Sequence, residues 1–148
     1  MAAGSTTISY RTAALSTPQG AVVVLGRLFF ALVFILSASH HFTKQVVAYA
    51  AAQGVPLASL GVPLTGIIAL VGGLSILLGY RAKIGAWLIV LFLILVTPTM
   101  HKFWAVSDPM VAQMQMVMFM KNLSMLGGAL LISQFGAGPF SLDARRSR

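Results

Sequence analysis

Four apolar runs, separated by charged or proline-containing breaks, fix what this chain can become. They cover about Ala21 to Phe42, Pro63 to Tyr80, Ile84 to Trp104 and Val117 to Phe135. Each approaches the roughly 20 residues that carry a helix across a bilayer. A backbone in hydrocarbon must satisfy its own polar groups, so runs of this kind are read as helices. Composition agrees: 58% hydrophobic residues, 8% charged residues and a mean hydropathy of +0.92 leave too little polar surface to enclose a water-soluble core. The expected fold is all-α, a four-helix transmembrane bundle. Residues 1–20 are expected as an N-terminal tail, 21–135 as one membrane domain and 136–148 as a basic C-terminal tail. The leader has no small-residue cleavage site behind a short apolar core and reads as a retained tail, not a signal peptide.

Local signals refine the spans. Pro63 stands at the head of the second, where a missing amide donor is tolerated. Pro98 interrupts the third and is expected to kink it near its far end. Asp108 and Pro109 form a cap and first-turn pair that would extend the fourth span backward. Between the first two spans, Val46, Val47, Tyr49 and Ala50 precede Gly54 and Pro56, which predicts a short interfacial helix in the first extracytoplasmic loop. Small residues at Thr65, Ala69 and Gly73, at Ser75 and Gly79, and at Ser124 and Gly128 predict close helix packing within the bundle.

Four spans put both termini on one side. The tails, the head of the first span and the second connection carry Arg11, Arg27, Arg81, Lys83, Arg145, Arg146 and Arg148, while the other side carries Lys44, Lys102 and Lys121. Seven positive charges against three orient both termini toward the cytoplasm. The net charge of +8 in so apolar a chain reads as topology and attraction to anionic lipid or substrate, with no call for nucleic acid. With no cysteine, the chain has no disulfide, thiolate metal site or dithiol chemistry, and a redox role would need a borrowed cofactor.

The unusual polar residues gather toward the extracytoplasmic leaflet. His40, His41 and Lys44 end the first span, His101 and Lys102 end the third, and Gln113, Gln115, Lys121 and Asn122 open the fourth. If these helix ends meet, they form a basic pocket suited to an anionic or carbonyl-bearing ligand. Blander roles stand beside this one: Lys121 snorkels, Asn122 bonds helix to helix, the histidines meet headgroups, and Arg27 anchors the inner face. Six methionines crowding Met110 to Met125 suit deformable packing better than copper, and no metal site is expected. A haem held between His41 and His101 is geometrically open. The sequence offers no paired carboxylates, phosphate-binding glycine loop or nucleophile elbow.

Several short motifs occur in a characteristic order: Gly26-Arg27, His41 to Lys44, Gly54-Val55-Pro56-Leu57, Gly72-Gly73, Leu78-Gly79-Tyr80-Arg81, His101 to Trp104, Lys121-Asn122-Leu123 and Gly127-Gly128. Over about Gly20 to Ile132 the chain resembles the DoxX family. The resemblance implies a four-helix protein of the bacterial or archaeal cytoplasmic membrane, similar to a subunit of thiosulfate:quinone oxidoreductase, some relatives being anchors of oxidoreductase assemblies. It implies an accessory subunit of a quinone-linked complex with other membrane or redox proteins as partners. No cofactor of its own is implied, and the ligand would be a bound quinone held by Lys121, Asn122, His101 and His41. Two alternatives are a quinone-dependent enzyme acting on a sulfur oxyanion such as thiosulfate, and a purely structural assembly protein.

Overall fold

The computed structural model describes residues 17–146. It is all-helical, with helices α1 (Thr17–Ala38), α2 (Lys44–Ala52), α3 (Ala58–Leu78), α4 (Ala82–Met100), α5 (Pro109–Phe135) and α6 (Leu142–Arg146). Four of these, α1, α3, α4 and α5, are long and apolar enough to span a bilayer, which bears out the expected bundle. The termini of the described chain and the 79–81 turn share one end of the bundle, called here the terminal end. Residues 39–57 and 101–108 form the opposite, loop end.

Helix boundaries follow local chemistry. α5 begins at Pro109 because the Asp108 carboxylate accepts hydrogen bonds from the amides of Met110 and Val111, both at 2.9 Å. The fourth helix therefore starts well before Val117. α3 begins at Ala58, ahead of Pro63, so the proline lies inside the helix near its start. α4 ends at Met100, two residues after Pro98, in keeping with the lost backbone donor. α1 gives way at Ser39–Phe42 to a 3-10 turn, and Thr43 then caps α2 by accepting from Val46 N.

α3 and α4 pack back to back with almost no room between them. A Cβ on Gly72 would stand 2.9 Å from the Gly85 carbonyl oxygen, and one on Gly85 would run into Ser75. Without these glycines the two backbones could not approach so closely. α1 lies against α3 and reaches α4 through Phe34, whose ring meets Phe92 edge-on at 6.0 Å. α5 lies along α4 and meets α1 where Phe30 covers Gly128. Ala31, Phe34, Ala69, Ile76, Ile89 and Leu93 are among the core residues that fill the centre. The outer faces stay apolar and exposed, as lipid requires.

Candidate functional site

At the terminal end, polar chemistry serves closure. Arg27 is only 5% exposed; its Nη1 donates to the Ala137 carbonyl at 3.0 Å and its Nη2 to the Phe140 carbonyl at 2.9 Å. Its Nε is buried without a hydrogen-bond partner among the described residues. A guanidinium suits this position because its fork can hold two carbonyls at once while its stem runs along apolar surface. The segment after α5 is thus drawn back over the head of α1. Asp143 completes the closure by accepting from the amides of Arg81 at 2.8 Å and Ala82 at 3.0 Å. That carboxylate caps α4 from a distant part of the chain and holds Arg81 in a left-handed conformation (φ 48°) that side chains ordinarily avoid. Arg146 hydrogen-bonds the Tyr80 phenol and, helped by the charge of Arg81, draws its pKa below the usual tyrosine value.

An open groove of about 530 Å³ lies beside this closure, lined by Arg81, Lys83, Ile84, Phe135 and Asp143 among others. Its carboxylate is engaged in capping. The groove gathers positive charge at a surface but no enclosed set of groups.

The loop end is built differently. A cavity of about 280 Å³, close to the lower bound of ordinary small-molecule sites at about 300 Å³, lies under α2 between the ends of α3 and α4. Its walls are mainly apolar, from Val46, Ala50, Val55, Val62, Leu95 and Met100, with His41, Thr65 and Thr99 as its polar side chains. His41 is placed there because Gly66 leaves room for its Cβ and because its ring packs against Phe92 at 5.7 Å. Its Nδ1 lies 3.0 Å from the Ser37 carbonyl oxygen. Thr65 and Thr99 bond back to their own helices, Thr65 to the Val62 carbonyl at 2.7 Å and Thr99 to the Leu95 carbonyl at 2.8 Å.

α2 roofs the cavity and is tied down by residues of two other elements. Lys102 Nζ donates to the Gln53 carbonyl at 2.8 Å. His101 Nδ1 lies 2.8 Å from Gln115 Oε1, and Gln115 Nε2 donates to Tyr49 Oη at 3.3 Å. Beside them Phe103, Trp104 and Phe119 meet edge to face, fastening the 101–108 loop to α5.

The polar residues named from sequence therefore do not form one cluster. His41 lines the cavity, while His101 and Lys102 hold its roof. His40 and Lys44 are exposed. Asn122 is buried on α5, but Lys121, turned away from it by the helical rotation between neighbours, is exposed with its Nζ 3.3 Å from Met118 Sδ. No Lys or Arg lines the cavity, so the basic anion pocket expected here is not what these side chains build. Thr65 was expected only as a packing residue and Tyr49 only as part of the interfacial helix, while Thr99 and Gln53 carried no expectation. The hydroxyls of Thr65 and Thr99, each interrupting an apolar span near its loop end, were the available signal.

A family model described as the SURF4 family matches residues 26–148. Inner membrane protein YqjF of Escherichia coli strain K12 is 30% identical over 123 residues, 82% of this chain and 88% of that protein. Inner membrane protein YphA of the same strain is 26% identical over 129 residues, 84% of this chain and 89% of that protein. ER-derived vesicles protein ERV29 of Saccharomyces cerevisiae is 27% identical over 82 residues, 55% of this chain but 26% of that protein. No solved structure gives a significant match. These matches overturn the DoxX resemblance, because the family model covering the same residues is a different one. The motifs behind that resemblance are short combinations of glycine and basic residues, and bundle packing and membrane topology call for such combinations on their own account.

Proposed function

The chain belongs to the SURF4 family, and from that premise we propose that it is a ligand-holding protein of a bacterial inner membrane with both termini in the cytoplasm. The names of the two Escherichia coli relatives support the location, and the seven-to-three division of positive charge supports the orientation. The observation that carries the reading is the roofed cavity at the loop end. It is apolar and close to the size of known small-molecule sites, and the charge count, read as topology, supports an outer-leaflet position for it. One imidazole and two threonines, with no carboxylate, lysine or cysteine among the lining residues, favour holding a molecule over transforming it.

The redox-subunit expectation loses its basis with the DoxX resemblance, and nothing in the cavity restores it. The yeast relative is named for vesicles, yet the match spans a quarter of that protein. The proposal takes from that relative nothing beyond a shared membrane setting.

Gly61 provides a direct test. It lines the cavity, and a Cβ added there would meet nothing closer than the Pro56 carbonyl oxygen at 3.9 Å. Gly61→Leu should therefore fill the space without disturbing the helix. Wild type purified in mild detergent is expected to retain a lipid-soluble molecule, detectable by mass spectrometry, that Gly61→Leu lacks. Identical extracts from the two proteins would reject the cavity as a ligand site.

A further inference from the structure

The polar groups lining the cavity share one hydrogen-bonding sense. A carbonyl oxygen only accepts, so the contact between His41 Nδ1 and the Ser37 carbonyl places the ring proton on Nδ1. In the neutral ring this leaves Nε2 as an acceptor. Thr65 directs its only hydroxyl proton to the Val62 carbonyl. Thr99 directs its own to the carbonyls of Leu95 and Val96, at 2.8 and 3.1 Å. Each threonine oxygen can then offer only lone pairs to a guest.

The backbone supplies no donor either. The Val55 amide bonds to the Ala50 carbonyl, the Gly61 amide bonds to that of Leu57, and Pro56 has no N–H. Val46 N is engaged by Thr43 Oγ1. The remaining lining residues sit within helices, where amides beyond the first turn are engaged in the helical ladder.

We propose that this cavity selects an uncharged apolar molecule headed by a hydroxyl, a long-chain alcohol or a phenol, over its ketone, ether or carboxylate counterparts. The inference rests on the reading of the cavity as a ligand site and adds the class of ligand. A hydroxyl would give its proton to one of the three acceptors. A ketone would bring lone pairs against lone pairs and lose its hydrogen bonds to interfacial water without replacement. A carboxylate would enter an apolar space with no cation among the lining residues. An ammonium would find no counter-charge there. The polarity is the reverse of what a quinone carbonyl needs.

Three photoreactive probes test the selection: an alkyl diazirine ending in a hydroxyl, its methyl ether, and the corresponding methyl ketone. Each is photolysed on the full chain in nanodiscs. Labelling of the peptides carrying Val62 and Leu95 is then quantified by mass spectrometry. The hydroxyl probe is expected to label them about fivefold more than the ether or ketone, the discrimination of one net neutral hydrogen bond. In the double variant Thr65→Val with Thr99→Val, which keeps the side-chain shape and removes two acceptors, that preference should shrink toward parity while ether labelling holds. His41→Phe should shrink it further.

Equal labelling of these peptides by all three probes would overturn the donor selectivity and leave the cavity standing as a ligand site. Stronger labelling by the ketone would overturn it as well. Labelling by none of the three would reject both the selectivity and the ligand-holding function.

Discussion

The two ends of this bundle use similar residues for opposite purposes. At the terminal end, a buried arginine and an aspartate are each matched to backbone groups, and Gly79 sits where a Cβ would run into Ser141 and stand 2.6 Å from Arg27 Nη1. Little space remains around Gly79 and Arg27, although Arg27 Nε is left unpaired among the described residues and an open groove lies beside the closure. At the loop end, histidine, lysine, glutamine and tyrosine tie down a roof, and the space beneath it stays open with three acceptors unmatched. The contrast shows that polar residues in a membrane protein cannot be sorted by type into structural and functional sets. What separates them is whether their hydrogen bonds are completed within the chain.

That comparison can be broken most forcefully at Gly79. Its φ of 63° is left-handed and its surroundings leave no room for a methyl group. Gly79→Ala should therefore lose about 3 kcal/mol or more of stability, from backbone strain and overpacking together. A wild-type unfolding midpoint, followed by circular dichroism in detergent, would show that the terminal end is looser than described. Arg27→Met keeps an apolar stem and removes both carbonyl contacts. We expect a loss of about 2 to 3 kcal/mol and faster amide exchange at Asp143 and Arg145, with loop-end exchange unchanged. Equal acceleration at both ends would mean that they are not independent.

Asp143→Asn tests a finer point. The amide retains one acceptor for two backbone donors, so a loss of about 1 kcal/mol is expected, with the greatest change in exchange at Arg81 and Ala82. The smallest effect should come from Gln115→Ala. It cuts the bridge between His101 and Tyr49, yet the aromatic contacts around Phe103 and the Lys102 bond to Gln53 remain. Stability should fall by less than about 1 kcal/mol, while exchange in α2 rises. A global destabilisation as large as that of Arg27→Met would erase the distinction between a locked end and a tethered roof.

Much of the fold was legible in the residues. The apolar runs gave four spans, Asp108 with Pro109 marked the early start of α5, and Gly54 with Pro56 marked the end of α2. The candidate site was less legible. Position along the chain placed His41, His101, Lys102, Lys121 and Asn122 at similar depths, but depth is one coordinate and a pocket needs three. Lys121 and Asn122 are neighbours in sequence, and helical rotation leaves one exposed and the other buried. The small residues could be read as packing stripes, but which partner each one faced could not. Gly72 faces α4, and Gly73, the next residue, faces α1.

By itself, then, the sequence determined that this chain is a four-span helical membrane protein, because hydrocarbon leaves a backbone of this composition no alternative to internally bonded helices. Tertiary structure alone decided which polar groups close the protein and which remain available. Asp143 caps a helix that begins 61 residues before it, and Arg27 holds carbonyls more than a hundred residues away. The acceptor character of the cavity likewise arises from where the protons of His41, Thr65 and Thr99 are directed, a matter of local geometry that residue identity does not specify.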